Sequence, residues 1–392
     1  MPDNFVRDVT PQPQDHPAGP ATGYSPLDGT GTRRPERRNR RPVGEYNVTT
    51  LNRLMPSATP ALALFLGLGL GFGALADETP LTPASTTPLP AVTGGDFDHF
   101  AVDLIHNRLF VPAEVYASIE VFDLKSGKHL ASARGVAKSP HKLELISEKN
   151  ELLVADAGDA SCKVLDARDL HLIKRIPLEP GPDSGVYDPR TRIFYVGNGG
   201  HIAKSEFSYI SMISVDRHQT IGRIRVEANT LKTMIIDPGT DRLFVNMRDK
   251  KQIGVIDLKT KAVVQTWTAP DLNLNSAMAF DGAHHRLFVG SRNPGKLYVL
   301  DSDTGRLVTI LDTVNISDDM TLDPPHHRLY VSGADGVDVI SQDDPDHYRS
   351  LQRVDTHGGK TSVYVPSLKH FYVVHTKGEQ AREAGLQIFN VN

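Results

Sequence analysis

Short apolar segments alternate with turn-forming residues along most of the chain, and one such pattern recurs at a nearly constant interval. Its clearest copies are IIDPGTDRLFV at 235–245, AFDGAHHRLFV at 279–289 and TLDPPHHRLYV at 321–331. Weaker copies lie at 101–111, 186–196 and 363–373, and LELISEKNELLV at 143–154 reads as a seventh copy with one extra residue. The anchor residues, which align with the Asp of the pattern, are Asp103, Leu145, Asp188, Asp237, Asp281, Asp323 and Val365. Their spacings of 42, 43, 49, 44, 42 and 42 residues are typical of a propeller repeat.

Each repeat predicts four short antiparallel strands. The first ends at the anchor residue, and the second is the RLFV segment. The third resembles IEVFDL at 119–124, and the fourth resembles KAVVQTW at 261–267. Alternating apolar residues, β-branched side chains and turns rich in Gly, Asp, Asn and Pro favour strands over helices. Because one small sheet cannot bury both of its faces alone, the sequence predicts an all-β, seven-bladed β-propeller of four-stranded blades.

The last repeat lacks its fourth strand. Its third strand, LQIFNV at 386–391, is followed only by Asn392. An unpaired strand edge invites aggregation, so an N-terminal strand is expected to complete this blade and close the ring. We assign that strand to the segment around residues 89–93, within a linker and closing strand at 77–94. The propeller itself then covers residues 95–392.

Residues 1–76 have a different composition from the rest of the chain. Residues 1–50 are rich in Pro, Gly and Arg and predict disorder. The apolar run at 61–76 follows Arg53 and ends with Ala74 and Ala76, which predicts a signal peptide cleaved after Ala76 and a periplasmic or secreted protein without a membrane span. An uncleaved membrane anchor is the alternative. Translation begins either at Met1, giving a long leader, or near Met55.

Charge and motifs exclude several functions. Residues 1–76 hold eight of the 43 Lys and Arg residues and six of the 47 Asp and Glu residues, so residues 77–392 keep a net charge of −6. An acidic domain is poorly suited to binding nucleic acid through phosphate contacts. Cys162 is the only cysteine, so the chain has no intramolecular disulfide and no CxxC metal motif. GxSxG, HExxH and CxxCH motifs are also absent, and no Rossmann fingerprint lies in a βαβ setting.

Paired histidines stand out in two repeats, His284 with His285 and His326 with His327. Both pairs fall in the predicted turn between strands one and two. Other repeats place His106 and Asn107, or Thr240 and Asp241, at the same point. The pairs are therefore interpreted as turn residues of the repeat rather than as metal ligands.

The candidate site lies where the propeller topology gathers distant residues. The innermost strand of each blade lines the axial channel, and the loops that lead into these strands converge at one mouth. We therefore group the polar residues four to six positions before the anchors: Asp98 and His99, His141, Asp183 and Ser184, Lys232 and Thr233, Asn275 and Ser276, Asp318 and Asp319, and Lys360 and Thr361. Taken singly, most of these residues are ordinary turn residues. Taken as a set, they predict a binding site for a small molecule or ion.

Three chemistries are open at this site. Asp183 and Asp319 with His99 and His141 offer ligands for a divalent ion such as Ca²⁺, Mn²⁺ or Zn²⁺. With such an ion, His99 or His141 would act as a general base in a metal-assisted hydrolase or lyase reaction. Lys232 and Lys360 would instead hold an anionic substrate, or pair with the carboxylates in a salt-bridged ring.

The repeats resemble a known family. Segments such as LFVGSRN, FYVGNGG and LYVSGAD, each followed by a VxVID-like strand, are similar to the YVTN-type repeats of YncE-like proteins, and the resemblance covers roughly residues 95–392. It implies an exported bacterial seven-bladed propeller and no particular activity. A protein-interaction scaffold in the cell envelope, using the rim of the disc, is therefore the alternative function. A monomer is expected, and nucleic-acid binding, which the resemblance permits, is disfavoured by the charge.

Overall fold

The computed structural model describes residues 79–200 and 202–392, and these form seven four-stranded antiparallel sheets. The predicted all-β, seven-bladed propeller is therefore confirmed. The predicted disordered segment, signal peptide and cleavage site fall outside the described residues. Within the described ranges, no helix has the length and apolarity needed to cross a membrane.

The strands follow the chain in order, four to a blade. Blade 1 contains β2 (Ala101–Asp103), β3 (Arg108–Ala113), β4 (Ser118–Asp123) and β5 (His129–Arg134). Blade 2 contains β6 (Pro140–Ile146), β7 (Glu151–Asp156), β8 (Ser161–Asp166) and β9 (Leu172–Pro177). Blade 3 contains β10 (Gly185–Asp188), β11 (Ile193–Gly197), β12 (Ser208–Ser214) and β13 (Gln219–Val226). Blade 4 contains β14 (Leu231–Asp237), β15 (Arg242–Met247), β16 (Gln252–Asp257) and β17 (Ala262–Trp267).

The remaining three blades complete the ring. Blade 5 contains β18 (Asn275–Asp281), β19 (Arg286–Arg292), β20 (Gly295–Asp301) and β21 (Leu307–Asp312). Blade 6 contains β22 (Asp319–Asp323), β23 (Arg328–Gly333), β24 (Gly336–Gln342) and β25 (Tyr348–Val354). Blade 7 contains β26 (Thr361–Val365), β27 (His370–His375), β28 (Ala384–Val391) and β1 (Leu81–Leu89). Short 3₁₀ turns lie at Ser147–Lys149, Arg248–Lys250, Pro324–His326 and Pro366–Leu368.

An N-terminal strand closes the ring, as the missing fourth strand of blade 7 predicts. β1 pairs antiparallel with β28 from Leu81 opposite Val391 to Leu89 opposite Ala384. The strand lies within the predicted linker and closing strand at 77–94, but it ends at Leu89, where the segment assigned to it at 89–93 begins. Only its two ends, Leu81 and Leu89, are buried, and most of the residues between them are exposed. This strand therefore lacks the apolar alternation that would have located it in the sequence.

The core is divided among the interfaces between neighbouring blades. Seven clusters of buried apolar residues fill these interfaces, one for each pair of adjacent blades. The LFV motif of strand two explains the arrangement, because successive side chains of a strand point to opposite faces. Leu109 and Val111 pack against blade 7, whereas Phe110 packs against blade 2. The fourth strands, such as β5, are mostly exposed.

Three histidines of the repeats, including the first residue of each histidine pair, stabilise the turns between strands one and two. The Nδ1 atoms of His106, His284 and His326 lie 2.9, 2.7 and 2.7 Å from carboxylate oxygens of the anchor residues Asp103, Asp281 and Asp323. The second histidine of each pair, His285 or His327, has a left-handed backbone that ends the turn. These contacts agree with the interpretation of the pairs as turn residues of the repeat.

The anchor of blade 2 is Ile146 and not Leu145. Ile146 pairs with Glu151 as Asp103 pairs with Arg108 in blade 1, so the repeat runs from 144 to 154 and has no extra residue. The anchor was assigned to Leu145 because the true anchor is apolar and lacks the Asp that marks this position in most other repeats. Ile146 is fully buried in the cluster between blades 2 and 3, where it needs no polar turn contact.

Candidate functional site

With the corrected anchor, one residue from every blade falls five positions before the anchor. We call this set the axial ring: Asp98, His141, Asp183, Lys232, Ser276, Asp318 and Lys360. Each member lies at or just before the start of an innermost strand. Neighbouring first strands contact one another around the axis, so the ring residues meet although they are far apart in sequence.

Blades 1 to 4 join their ring residues in one chain of contacts. The Nδ1 atom of His141 lies 2.6 Å from Oδ2 of Asp98 and 3.2 Å from Oδ1 of Asp183. The ammonium group of Lys232 donates a hydrogen bond to the other carboxylate oxygen of Asp183. Acidic and basic groups thus alternate from blade to blade.

Blades 5 to 7 continue this arrangement on the other side of the axis. The Oγ atom of Ser276 donates to Oδ1 of Asp318 at 3.3 Å. The Nζ atom of Lys360 lies 3.0 Å from Oδ2 of Asp318 and 2.5 Å from Oδ2 of Asp96. Both ring lysines are therefore paired with carboxylates, as in the salt-bridged ring considered from the sequence.

His99 and Asp319 occupy the next repeat position, four residues before their anchors. The Nδ1 atom of His99 lies 2.8 Å from Oδ1 of Asp319, and its Nε2 atom lies 3.2 Å from Oδ1 of Asp98. Both residues line a channel cavity of about 380 Å³, together with Met234, Met278 and other residues of the innermost strands. His99 therefore connects the axial ring to the channel.

The carboxylates keep both histidines protonated. Burial alone would lower the pKa of His99, but the negative charges of Asp319 and Asp98 outweigh it and raise this pKa to about 9. Burial likewise opposes the charge on His141, yet hydrogen bonds to Asp183 and Asp98 raise its pKa to about 11. Near neutral pH both rings are imidazolium ions, and an imidazolium ion cannot accept the proton that a general base must take.

Asn275 does not belong to the axial ring. It lies six positions before its anchor and is completely buried. Its Nδ2 atom donates to Oδ1 of Asn246 at 2.7 Å and to the carbonyl oxygen of Gln252 at 2.9 Å. These contacts link blades 4 and 5, which gives this predicted site residue a structural role.

Three charged residues of the mouth were missed from the sequence. Glu114, Arg248 and Arg292 each lie three positions after the Val of the LFV motif, at the end of strand two. Oε1 of Glu114 lies 3.6 Å from Nε2 of His141, and the guanidinium of Arg292 donates to Asp318. An alignment of the second strands, extended past the apolar motif, is the signal that would have found them.

Arg248 differs from the other cations of the mouth. Its Nη2 atom donates to Oγ of Ser276 at 2.5 Å. Its Nε atom is buried without a hydrogen-bond partner, and no carboxylate of the described residues lies within ion-pair distance of its guanidinium. Burial lowers the pKa of Arg248, and the positive charge of Arg292 lowers it further, to about 10.

These residues surround a cavity at the mouth of the channel. It has a volume of about 370 Å³ and is lined by Glu114, His141, Asp183, Lys232 and Arg248 among others. The long loop between strands two and three of blade 3 adds Gly199 and Gly200, both of which have positive φ angles. Binding sites for small molecules commonly have volumes from about 300 to 1,000 Å³.

One group of residues at the mouth has the geometry of a cation site. Ligand atoms of Asp98, His141 and Asp183 all lie within 4.8 Å of one another. The set predicted from the sequence is divided, because His141 and Asp183 belong to this group whereas His99 and Asp319 pair with each other. An ion here would replace the Nδ1 proton of His141 and would lie close to the ammonium group of Lys232.

The comparisons with known proteins support the fold alone. No family model and no curated protein matches this chain. A chain in a crystal structure of the mitotic checkpoint complex is similar, with a TM-score of 0.65 and 13% identity, over 85% of this chain and 99% of that one. A chain of Kuenenia stuttgartiensis hydrazine synthase has a TM-score of 0.60 and 16% identity, over 74% of this chain and 94% of that one. Both matching chains belong to propeller proteins, and the chain described here has the fold of a seven-bladed β-propeller.

Proposed function

We propose that this propeller binds a small molecule with an anionic group, a carboxylate or a phosphate, in the cavity at the axial mouth. The observation that carries the proposal is Arg248, a partly buried guanidinium without a carboxylate partner in the described part of the chain. Buried charges are normally paired, because an unpaired charge loses its hydration without compensation. An anion would supply the missing partner.

Two other cationic side chains lie near Arg248, beside the carboxylates of Glu114 and Asp183 that line the same cavity. Lys232 lines the same cavity, and Arg292 lies near enough to lower the pKa of Arg248. Guanidinium groups bind carboxylates and phosphates through two parallel hydrogen bonds, which are stronger than bonds between neutral groups. The Nε atom of Arg248 has no hydrogen-bond partner, and a small rotation of the side chain would present it to an anion in the cavity.

The change Arg248→Gln tests the proposal. Phosphate, succinate and citrate are titrated into wild type and variant near neutral pH, and the melting temperature is recorded. At least one anion should raise the wild-type melting temperature in a saturable way, because a ligand that binds only the folded state stabilises it. Its affinity should fall roughly tenfold or more in Arg248→Gln, since two charge-assisted hydrogen bonds are lost.

The control for this test is Arg349→Gln, which removes an exposed arginine that is paired with Asp343 on an outer strand. It should leave the anion affinity unchanged. Equal affinities in wild type and Arg248→Gln would contradict the proposal. If no anion binds, and a partner captured from the cell envelope is also retained by Arg248→Gln, the scaffold function is favoured instead. Leu130 and Val264, exposed on the outer strands of blades 1 and 4, would then be the rim residues to substitute next.

A divalent cation bound by Asp98, His141 and Asp183 is the second candidate function, and the proximity of their ligand atoms favours it. Binding must displace a proton from His141, whose pKa is raised to about 11 by its carboxylate neighbours against the opposing effect of burial. Affinity should therefore rise by up to tenfold for each unit of pH from neutral to alkaline. A metal-assisted hydrolase or lyase reaction would require this bound ion.

Titration of Mn²⁺ into protein purified without a His-tag, at several pH values, tests the cation site. We expect Asp183→Asn to abolish the pH-dependent binding. The exposed residue Asp344, which contacts only its local turn and His347, provides the control Asp344→Asn. Binding that does not change with pH, or that survives in Asp183→Asn, would exclude this site.

Export remains part of the proposal. It is supported by the apolar run at 61–76 and by the similarity of the repeats to those of exported YncE-like proteins. Sequencing the N-terminus of the protein recovered from cells would find Asp77 first if cleavage follows Ala76, and a residue upstream of it if the run is retained.

A further inference from the structure

A pair of histidines lies in blade 7, outside the mouth cavity. His375 ends β27 and is only 5% exposed, and neither of its ring nitrogens has a hydrogen-bond partner among the described residues. A buried polar group without a partner destabilises the folded state. A bound ligand would therefore satisfy the unpartnered ring nitrogens of His375.

The same repeat position has a clear role in other blades. In blade 2 it is Asp156, whose carboxylate accepts backbone hydrogen bonds from Lys138 and Ser139, both at 2.8 Å. In blade 5 it is Ser291, whose hydroxyl donates to the carbonyl oxygen of Asn273 at 2.5 Å. These residues fix the loop that arrives from the preceding blade. His375 makes no such bond to the corresponding loop at 355–360.

His375 instead faces the imidazole of His357. The ring centroids are 5.6 Å apart and the ring planes are at 81°. The side chain of His357 is 46% exposed, and its Nδ1 atom lies 3.5 Å from Oδ2 of Asp355. A carboxylate beside one ring nitrogen commonly orients a histidine so that the other nitrogen binds a metal.

The separation of the two rings suits a shared ion. Two imidazoles on one tetrahedral ion, with metal–nitrogen distances of about 2.0–2.1 Å, have centroids about 5 Å apart. Burial holds the pKa of His375 at about 4, and the neighbouring His357 also lowers it, so the ring is uncharged near neutral pH. Gly385 leaves room for the ring, because a Cβ atom at that position would lie 2.9 Å from Nε2 of His375.

We propose that His357 and His375 bind a divalent transition-metal ion of the Zn²⁺ class. Imidazole is a preferred ligand of these ions. Water molecules would complete the coordination, because no third His, Cys, Asp or Glu of the described residues forms a ligand group with the two imidazoles. This site shares no residue with the axial mouth and does not depend on the function proposed there.

Calorimetric titration of ZnCl₂ into the full chain, purified without a His-tag and in phosphate-free buffer, tests the proposal. Wild type should bind Zn²⁺ saturably, and His357→Ala and His375→Gln should each weaken this binding by about tenfold or more, because a two-imidazole site loses one of its ligands. Since the side chain of His357 is 46% exposed, His357→Ala keeps the test valid even if His375→Gln fails to fold. The control is His347→Ala, an exposed histidine bonded to Asp344, which should leave the affinity unchanged.

The variant Asp183→Asn separates this site from the cation group at the mouth. It should keep the Zn²⁺ binding that the two histidines provide. Loss of that binding in Asp183→Asn, together with its retention in His357→Ala, would overturn the proposal. A wild-type protein that binds no Zn²⁺ saturably would overturn it as well.

Discussion

A chain that lacks residues 1–90 is expected to unfold or aggregate, whereas a chain that lacks residues 1–76 should fold normally. The longer deletion removes β1, which supplies the fourth strand of blade 7. It exposes the edge of β28 and takes away Leu81 and Leu89, which are 1% and 3% exposed. Burial of a leucine side chain contributes about 1.5–3 kcal/mol, and the strand pairing adds further stability.

Circular dichroism, gel filtration and thermal melting of the two truncated chains measure this effect. The chain that begins at residue 77 retains every residue of the described ranges and is the matched control. The chain that begins at residue 91 should lose the cooperative melting transition or elute as aggregates, because an open strand edge pairs with other molecules. Equal melting temperatures for both chains would contradict the closure of the ring by β1.

The second large effect is expected from His99→Gln, which removes the imidazolium ion between Asp98 and Asp319. Loss of one partner from a buried ion pair typically costs about 3–5 kcal/mol. Because the side chains of His99 and Asp319 are 20% and 17% exposed, the free energy of unfolding near pH 7 should fall by about 3 kcal/mol, the lower end of this range. The exposed change His347→Gln serves as the control and should cost less than about 0.5 kcal/mol.

The same variant should change the pH dependence of stability. Burial opposes the charge of His99, but Asp319 and Asp98 raise its pKa to about 9, above the ordinary value of 6.5. A raised pKa stabilises the fold fully below about pH 6.5, and this contribution is lost as the pH rises through about 9. At about 1.4 kcal/mol for each pKa unit, it is worth up to about 3 kcal/mol. In denaturant unfolding, the gap between wild type and His99→Gln should therefore narrow from pH 7 to pH 10. Parallel profiles would show that His99 is not held as a cation.

The propeller was predictable because the apolar motif of strand two follows directly from how this strand packs between two neighbouring blades. Leu109, Phe110 and Val111 are buried on both faces between neighbouring blades, so this segment must be apolar in every repeat. The closing strand was located less well, because β1 is an outer strand that buries only its ends. Ile146 was missed as an anchor because an apolar residue replaces the Asp that marks the turn elsewhere.

The sequence predicted which residues lie together at the candidate site, but it did not predict their pairing or their protonation. The repeat spacing brought His141, Asp183 and Lys232 to one ring, since a propeller places equivalent residues around its axis. The spacing carried no information on which side chains would pair, and so it left the protonation of His99 and His141 open. Arg248 was not among the predicted site residues because it lies outside the loops that lead into the innermost strands. It begins the 3₁₀ turn after β15.

The most direct test of the proposed function is a crystal structure of the protein with the anion that stabilises it most among phosphate, succinate and citrate. We predict density for the anion inside the mouth cavity, with an oxygen atom about 2.7–2.9 Å from a guanidinium nitrogen of Arg248. A structure in which the anion lies elsewhere, or in which a carboxylate of the protein itself pairs with Arg248, would contradict this account of the site.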